Sequence, residues 1–108
     1  TFHPHLILNT DWYRQWRQPG FFSEHPVLTA AAAQFIIDCN VSLVGVDFPS
    51  VDRPPHPAHL VLLGNDILIV ENLTNLNQLP PTGTTLVIGI LRLQGGSGSP
   101  VSVTAFVK

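Results

Sequence analysis

The chain has 108 residues, which suits one small domain, and a formal net charge of −2 with only five lysine and arginine residues. This distribution offers no phosphate-binding surface, so nucleic acid is not an expected partner. Charged residues make up 11% of the chain, well below the usual value of about 25%, so part of the surface is expected to contact another subunit or another part of the same protein.

The first part of the chain predicts a strand, a helical turn and a longer helix. HLILNT (5–10) is an apolar run typical of a buried strand, and a single helical turn is expected over 11–17. In LTAAAAQFIIDCN, Thr29 predicts the N-cap and Asn40 the end of a helix that four alanines favour. The stripe expected to pack on a sheet consists of Leu28, Ala32, Phe35, Ile36 and Cys39.

The middle of the chain predicts a strand, a helix and a second strand. VSLVGVDF (41–48) is rich in valine, as in strands buried on both faces. A helix is predicted to begin at Pro57 and to run to about Leu63, with Gly64 as its left-handed stop. DILIVENL (66–73) predicts the next strand, and the connecting segment after it has room for one helical turn.

The last part predicts a β-hairpin. TLVIGILRLQ and VSVTAFV are strand-like and are joined by the short link GGSGSP, which favours antiparallel pairing. Because a helix leads directly into a buried strand earlier in the chain, the predicted fold class is α/β, a mixed sheet with packed helices. One domain is expected over residues 1–108.

The single cysteine and the apolar runs limit the other possibilities. Cys39 excludes an internal disulfide and a zinc site built on several thiolates, and it is expected to be a small buried apolar residue. No apolar run has the length of a membrane span and no segment resembles a signal peptide. A cytoplasmic location is therefore predicted, with no membrane partner.

The five histidines differ in their surroundings. His3 and His5 alternate on an extended segment and could face one side, but a disordered chain end explains them more simply. His25 precedes a proline in a loop and is predicted to be a surface or packing residue. His56 is predicted to cap the helix that begins at Pro57.

His59 and Glu71 are the candidate metal ligands. His59 is predicted to lie in the first helical turn, where the helix dipole favours the neutral imidazole that a metal requires. Glu71 is the only acid within 67–73, and a carboxylate at the end of a buried strand is costly unless it is paired or metal-bound. Two interpretations stay open on these residues alone: part of a metal site, or a capping histidine and a glutamate that reaches solvent.

Other catalytic arrangements have weaker support. Ser50 lacks the flanking glycines of a nucleophile elbow. Asp47 and Asp52 flank FPSV and could form a carboxylate pair, but stabilisation of the loop turns explains them with fewer assumptions. No residue of the chain is therefore assigned as catalytic.

Three segments together resemble one known family. LVGVDFPSVD, HPAHLVLLGNDILIVENLTNLNQLP and GGSGSPVSVTAF resemble the C-terminal half of the putative cyclase family, which includes kynurenine formamidase and isatin hydrolase. The resemblance extends over roughly residues 6–106 and implies a swivelling β/β/α fold, dimers, and metal-dependent hydrolysis of amide bonds with zinc or manganese. By the same resemblance His59 and Glu71, twelve residues apart, match two metal ligands, and His56 is a neighbour of the site.

The family's N-terminal metal motif, His-x-Gly-Thr-His-x-Asp-x-Pro, does not occur in this sequence. The chain is therefore expected to be the C-terminal portion of a larger hydrolase and inactive by itself, and zinc or manganese is expected for the intact protein. The alternatives are a non-catalytic, truncated relative that acts as a binding or oligomer-forming module, and an unrelated small α/β protein. Four aromatic residues are candidates for lining the substrate pocket, although core packing is their commoner role. They are Trp12, Trp16, Phe21 and Phe22.

Overall fold

The computed structural model describes residues 4–107 and has a mixed α/β architecture. Its helices and strands are β1 (His5–Leu8), α1 (Ala30–Asp38), β2 (Leu43–Val46), α2 (Pro57–Leu63), β3 (Leu68–Val70), β4 (Thr85–Ile90) and β5 (Val101–Phe106). Short 3-10 turns occupy Trp12–Gln15 and Leu76–Gln78. The chain divides into two compact units, one ending at Leu76 and one beginning at Asn77, here named the parallel unit and the hairpin unit.

The parallel unit is built on a three-stranded sheet in the order β1-β2-β3. Both strand pairs are parallel, so α1 and α2 form the connections between successive strands. All four residues of the central strand β2 are buried, which confirms the predicted strand with two covered faces. The buried core lies between this sheet and the helices. It consists of Ala33, Ile36, Val44, Val46, Phe48, Val51, Ala58, Leu62 and Ile67.

Helix α1 begins as predicted, but its buried face only partly matches the predicted stripe. The Thr29 hydroxyl accepts a hydrogen bond from the Ala32 amide at 3.0 Å, which confirms the N-cap. Ile36 is buried and Leu28 packs against the core, as predicted. Phe35, however, is 68% exposed, and Cys39 is exposed as well, so the prediction is wrong for these two residues and for the burial of the thiol. Ala33 is buried in their place, because α1 packs against α2. Cys39 is the C-cap, past the last helical turn.

Helix α2 has the predicted bounds and an unpredicted end. Gly64 has φ −65°, a right-handed conformation, so its prediction as a left-handed stop is wrong. The chain turns at Asp66 instead, which has φ 60°. Glycine is nonetheless required at position 64, because a Cβ added there would lie 2.6 Å from the Leu60 carbonyl oxygen. The position is fixed by a close backbone approach, and positive φ plays no part.

The hairpin unit consists of β4 and β5, paired antiparallel from Thr85↔Phe106 to Ile90↔Val101. This pairing confirms the predicted hairpin, although β4 ends at Ile90 and does not continue to Gln94. None of the residues in the two strands is fully buried. Within residues 4–107, no helix combines the length and apolar character that crossing a membrane would require.

Candidate metal centre

The predicted ligands lie at the carboxyl-terminal edge of the parallel sheet. β2 leads into the loop that carries Asp52, and Glu71 directly follows β3. Two backbone hydrogen bonds join the segments past these strand ends, from the Leu73 amide to the Val46 carbonyl at 3.0 Å and from the Asn72 amide to the Phe48 carbonyl at 3.1 Å. Ligand sites in open α/β sheets form at this edge, because loops from neighbouring strands meet there.

Asp52 is the buried centre of the group. Its side chain is 2% exposed, and its two oxygens receive three hydrogen bonds. Oδ1 contacts Nδ1 of His56 at 2.8 Å and Nδ1 of His59 at 2.7 Å. Oδ2 accepts the backbone N–H of His59 at 2.8 Å, an amide in the first turn of α2 that has no partner within the helix.

The ionisation of Asp52 follows from these contacts. Burial by itself raises the pKa of this carboxyl, but the hydrogen bonds from the His59 amide and from the two imidazoles outweigh it. The pKa of Asp52 is therefore held below its ordinary value, and the group is a carboxylate at neutral pH. An ionised carboxylate only accepts hydrogen bonds, so Nδ1 carries a hydrogen in both histidines.

His59 connects Asp52 to Glu71. Its Nε2 lies 3.7 Å from Oε1 of Glu71, on the side of the ring opposite to the Asp52 contact. Burial raises the pKa of Glu71 above its ordinary value, and the neighbouring His59 only partly offsets this rise. A partly desolvated carboxylate beside an imidazole nitrogen is a pair of donors that a divalent cation would stabilise.

Two sets of donors could hold a metal, and their distances distinguish them. Ligand atoms of Asp52, His56 and His59 all lie within 4.8 Å of one another. Donors that share a zinc ion at about 2.0–2.2 Å lie roughly 3.4 Å apart, because a tetrahedral site holds them around the metal. The contacts of 2.7 and 2.8 Å at Asp52 are hydrogen bonds and leave no room for an ion between those atoms. The 3.7 Å separation of His59 Nε2 and Glu71 Oε1 fits ligands on one ion.

The two loop aspartates were not recognised from the sequence as tertiary contacts. Asp47 is fully buried and accepts from the Thr10 amide at 3.1 Å and from the Thr10 hydroxyl at 2.6 Å, which joins the ends of β1 and β2. Asp52 joins the loop to α2, so stabilisation of local turns does not account for either residue. The spacing of Asp52, His56 and His59, at i, i+4 and i+7, is the signal that could have indicated the cluster.

The remaining histidines take different places. His3 lies outside the described residues, and His5 is exposed on β1. His25 is 5% exposed and stacks on Phe48 with ring centroids 6.0 Å apart, which agrees with the packing alternative. His56 occupies the N-cap position of α2 with φ 65°, but its side chain makes no capping bond and reaches Asp52 instead.

The four aromatic residues predicted to line a pocket contact one another. Trp12 stacks on Phe21 at 6.3 Å between ring centroids, and Trp16 meets both Phe21 and Phe22 edge to face. Phe21 is buried, whereas Trp16 is 55% and Phe22 68% exposed. Their role in lining a substrate pocket stays a prediction.

Comparison with known proteins places this architecture among cyclase-type hydrolases. In the solved structures, 99% of the chain superposes on 47% of an isatin hydrolase bound to the product analogue thioisatinate, with a TM-score of 0.86 and 24% identity. A potential metal-dependent hydrolase with cyclase activity superposes with a TM-score of 0.75 and 25% identity, over 90% of this chain and 47% of that protein.

Sequence comparison finds similar proteins in one family. The family described as putative cyclase matches residues 4–53, a stretch that ends before His59 and Glu71. Cyclase-like protein 3 of Oryza sativa subsp. japonica is 38% identical over 98 residues, 87% of this chain and 36% of that protein. Kynurenine formamidase of Salinibacter ruber is 41% identical over 69 residues, 61% of this chain and 32% of that protein. The predicted resemblance is confirmed: this chain is similar to the putative cyclases, and it spans less than half the length of each protein compared here.

Proposed function

We propose that this chain contributes His59 and Glu71 to the metal centre of a cyclase-type hydrolase that acts on amide bonds. The observation that supports the proposal is the 3.7 Å separation of His59 Nε2 and Glu71 Oε1 at the carboxyl edge of the parallel sheet. A kynurenine formamidase and an isatin hydrolase among the relatives suggest a formamide or a cyclic amide as substrate. A bound zinc or manganese ion would supply Lewis acidity for the amide carbonyl and for a water molecule.

The residues of this chain would bind and orient in that centre. His59 offers its ring Nε2, and Glu71 offers a carboxylate that is already partly desolvated. Two ligands do not reach the three that catalytic zinc sites use. We therefore propose that the chain is the C-terminal portion of a larger hydrolase, that the further ligands and a general base come from residues outside it, and that these 108 residues alone do not hydrolyse amides.

Activity measurements test the proposed inactivity. The purified 108-residue chain is incubated with Zn²⁺ or Mn²⁺ and with N-formylkynurenine or isatin, and product formation is followed by absorbance. The expected rate equals that of buffer with the same metal. Turnover by the wild-type chain that is lost in both His59→Gln and Glu71→Gln would contradict the proposed inactivity, because it would show a complete site.

Metal titration tests the proposed ligands without any need for turnover. Zn²⁺ binding to the chain is measured by calorimetry, and His59→Gln and Glu71→Gln are each expected to weaken it at least about 10-fold, because each removes one of two donors. His5→Gln is the matched control, since His5 is an exposed histidine on β1 and no part of the site. Equal weakening by His5→Gln, or none by the two site variants, would reject His59 and Glu71 as ligands.

A second candidate function, an oligomer-forming module, is supported by the hairpin unit. Ile90 is 62% and Phe106 60% exposed, and Val87, Leu91, Leu93, Val101 and Val107 are also among the exposed apolar side chains of this unit. Contiguous exposed apolar surface is typical of protein contacts. We propose a homodimer, to be tested by sedimentation velocity on the wild-type chain. Ile90→Lys is expected to shift the chain to monomer, and Leu60→Lys, at an exposed leucine of α2, is the control that leaves the mass unchanged.

A further inference from the structure

We infer that Asp52 is the positioning residue of the proposed metal centre: it fixes the ring orientation and the tautomer of His59, so that Nε2 is the nitrogen left free for a metal. The inference rests on the proposed function in naming a metal as the ligand of Nε2. The tautomer itself is a property of the metal-free chain and can be measured separately.

The geometry holds His59 at two points. Asp52 Oδ2 accepts the backbone N–H of His59, and Asp52 Oδ1 accepts the ring Nδ1–H at 2.7 Å. One carboxylate thus holds both the backbone N–H and the ring Nδ1 of His59, which restricts rotation of the imidazole. With the hydrogen on Nδ1, a neutral ring carries its lone pair on Nε2, the atom that lies 3.7 Å from Glu71 Oε1.

The surroundings of Asp52 suit this role better than direct coordination. Its side chain is 2% exposed, and three of its roughly four acceptor positions are already in use. Coordination by Asp52 would break hydrogen bonds that are buried, whereas no hydrogen bond within residues 4–107 occupies Nε2 of His59 or Oε1 of Glu71, which lie 3.7 Å apart. Carboxylates that accept the second N–H of a ligand histidine generally fix its ring and strengthen metal binding.

His56 contacts the same carboxylate without taking the same part. Its Nδ1 donates to Asp52 Oδ1 at 2.8 Å, and its ring stands at 88° to the His59 ring with centroids 5.3 Å apart. The His56 side chain is 51% exposed, against 26% for His59. His56 therefore serves as a further donor to Asp52, and its removal is expected to leave the tautomer of His59 unchanged.

The test is the protonation state of the His59 ring nitrogens in the metal-free, full-length chain, measured by long-range ¹H–¹⁵N NMR at pH 7.5 and assigned with His59→Gln. In the wild type, Nδ1 is expected to carry the hydrogen and Nε2 to give the signal of an unprotonated nitrogen. In Asp52→Ala, Nε2 is expected to become protonated in a large fraction of the molecules, because nothing then favours the hydrogen on Nδ1. His56→Ala is expected to retain the wild-type signals.

Asp47→Ala is the matched control for loss of a buried aspartate. Asp47 is fully buried near the same loop, but its partner is Thr10, so its removal lowers stability without touching the histidines. If Asp52→Ala does not fold, Asp52→Asn keeps a side-chain oxygen as acceptor and is expected to give an intermediate tautomer population. A hydrogen on Nε2 of His59 in the wild type, or unchanged His59 signals in a folded Asp52 variant, would overturn the inference.

Zinc titration separates this inference from the proposed function. Asp52→Ala or Asp52→Asn is expected to weaken Zn²⁺ binding about 10–100-fold, the usual effect of removing such a partner, and Asp47→Ala much less. If the wild type shows the expected tautomer but no Zn²⁺ binding that depends on His59 and Glu71, the proposed metal centre fails in this chain while the positioning by Asp52 stands. If Zn²⁺ binding depends on His59 and Glu71 but not on Asp52, the inference fails and the metal centre stands.

Discussion

The parallel unit and the hairpin unit both expose apolar side chains, but among the described residues only the parallel unit also buries them in a core. In the parallel unit, Val44, Val46 and Leu62 are completely buried between a three-stranded sheet and two helices. In the hairpin unit, Leu91 is 55% and Val101 39% exposed, and no strand residue is fully buried. A two-stranded hairpin has marginal stability in water unless something packs against it, whereas a sheet covered by helices supplies its own core.

The difference explains where a site of fixed geometry can form. Asp52 is held by a loop that packs on the core through Val51, and His59 by a helix whose Ala58 is fully buried. Polar side chains on such a framework keep their hydrogen bonds, because neither the loop nor the helix can move without exposing apolar surface. The exposed apolar residues of the hairpin unit suit contact with another surface instead.

The largest effect that would test this contrast comes from truncating one leucine in each unit. Leu62→Ala removes a fully buried side chain and is expected to lower the free energy of unfolding by about 2–5 kcal/mol, because it leaves a cavity in the core. Leu91→Ala removes an exposed side chain and is expected to change it by less than about 0.5 kcal/mol. Urea denaturation followed by circular dichroism measures both.

Equal destabilisation by the two leucine variants would contradict the contrast, since it would mean that the hairpin unit carries as much of the core as the parallel unit. The comparison is made at a protein concentration where the wild type is monomeric, so that loss of an intermolecular contact does not add to the result.

A smaller effect is expected at the start of α1. Thr29→Ala removes the hydroxyl that accepts the Ala32 N–H and is expected to cost about 1 kcal/mol, whereas Thr29→Ser keeps the hydroxyl and is expected to cost much less. Thr104→Ala, at an exposed threonine of β5, is the matched substitution in the hairpin unit and is expected to have little effect. A similar loss in Thr29→Ser would show that the hydroxyl does not carry the stabilisation.

The smallest effect concerns pH, because the two site carboxyls act with opposite sign. The pKa of Glu71 is raised in the folded chain. Protonation of Glu71 therefore increases the free energy of unfolding as the pH falls from the raised pKa of the folded chain to the ordinary pKa of the unfolded chain. The pKa of Asp52 is lowered, so its contribution is present above the ordinary value and is lost as the pH falls below it, through the folded value.

Thermal unfolding between pH 3 and 7 tests these signs. Above the ordinary carboxyl pKa of about 4, the wild type is expected to gain stability from Glu71 as the pH falls, and Glu71→Gln is expected to lack this gain. Below that pKa, the wild type is expected to lose stability from Asp52, and Asp52→Asn is expected to show a smaller loss. A Glu71→Gln profile parallel to wild type throughout this range would show that burial of Glu71 does not affect its ionisation in the folded chain.

Much of the fold could be predicted because local signals and periodicity agreed with the tertiary structure. Thr29, Pro57 and the valine-rich strand each have a local reason for their conformation, and all three predictions were confirmed. The predicted stripe of α1 was wrong at Phe35 and Cys39, because the buried face depends on what packs against the helix and α1 packs against α2. Gly64 was misassigned because a close approach to a carbonyl oxygen and a left-handed helix end both require glycine, so the sequence does not distinguish them.

The sequence by itself determined the α/β class, the hairpin, the resemblance to the putative cyclases and the pairing of His59 with Glu71 as candidates. Only the tertiary structure showed that His59 Nε2 and Glu71 Oε1 lie 3.7 Å apart and that Asp52 holds the other side of the imidazole. Asp52 resembled a turn residue in the sequence, because a loop aspartate has the same local pattern whether it faces solvent or a helix. Its role follows from burial and from the direction in which α2 presents His59, and both depend on contacts between residues distant in the chain.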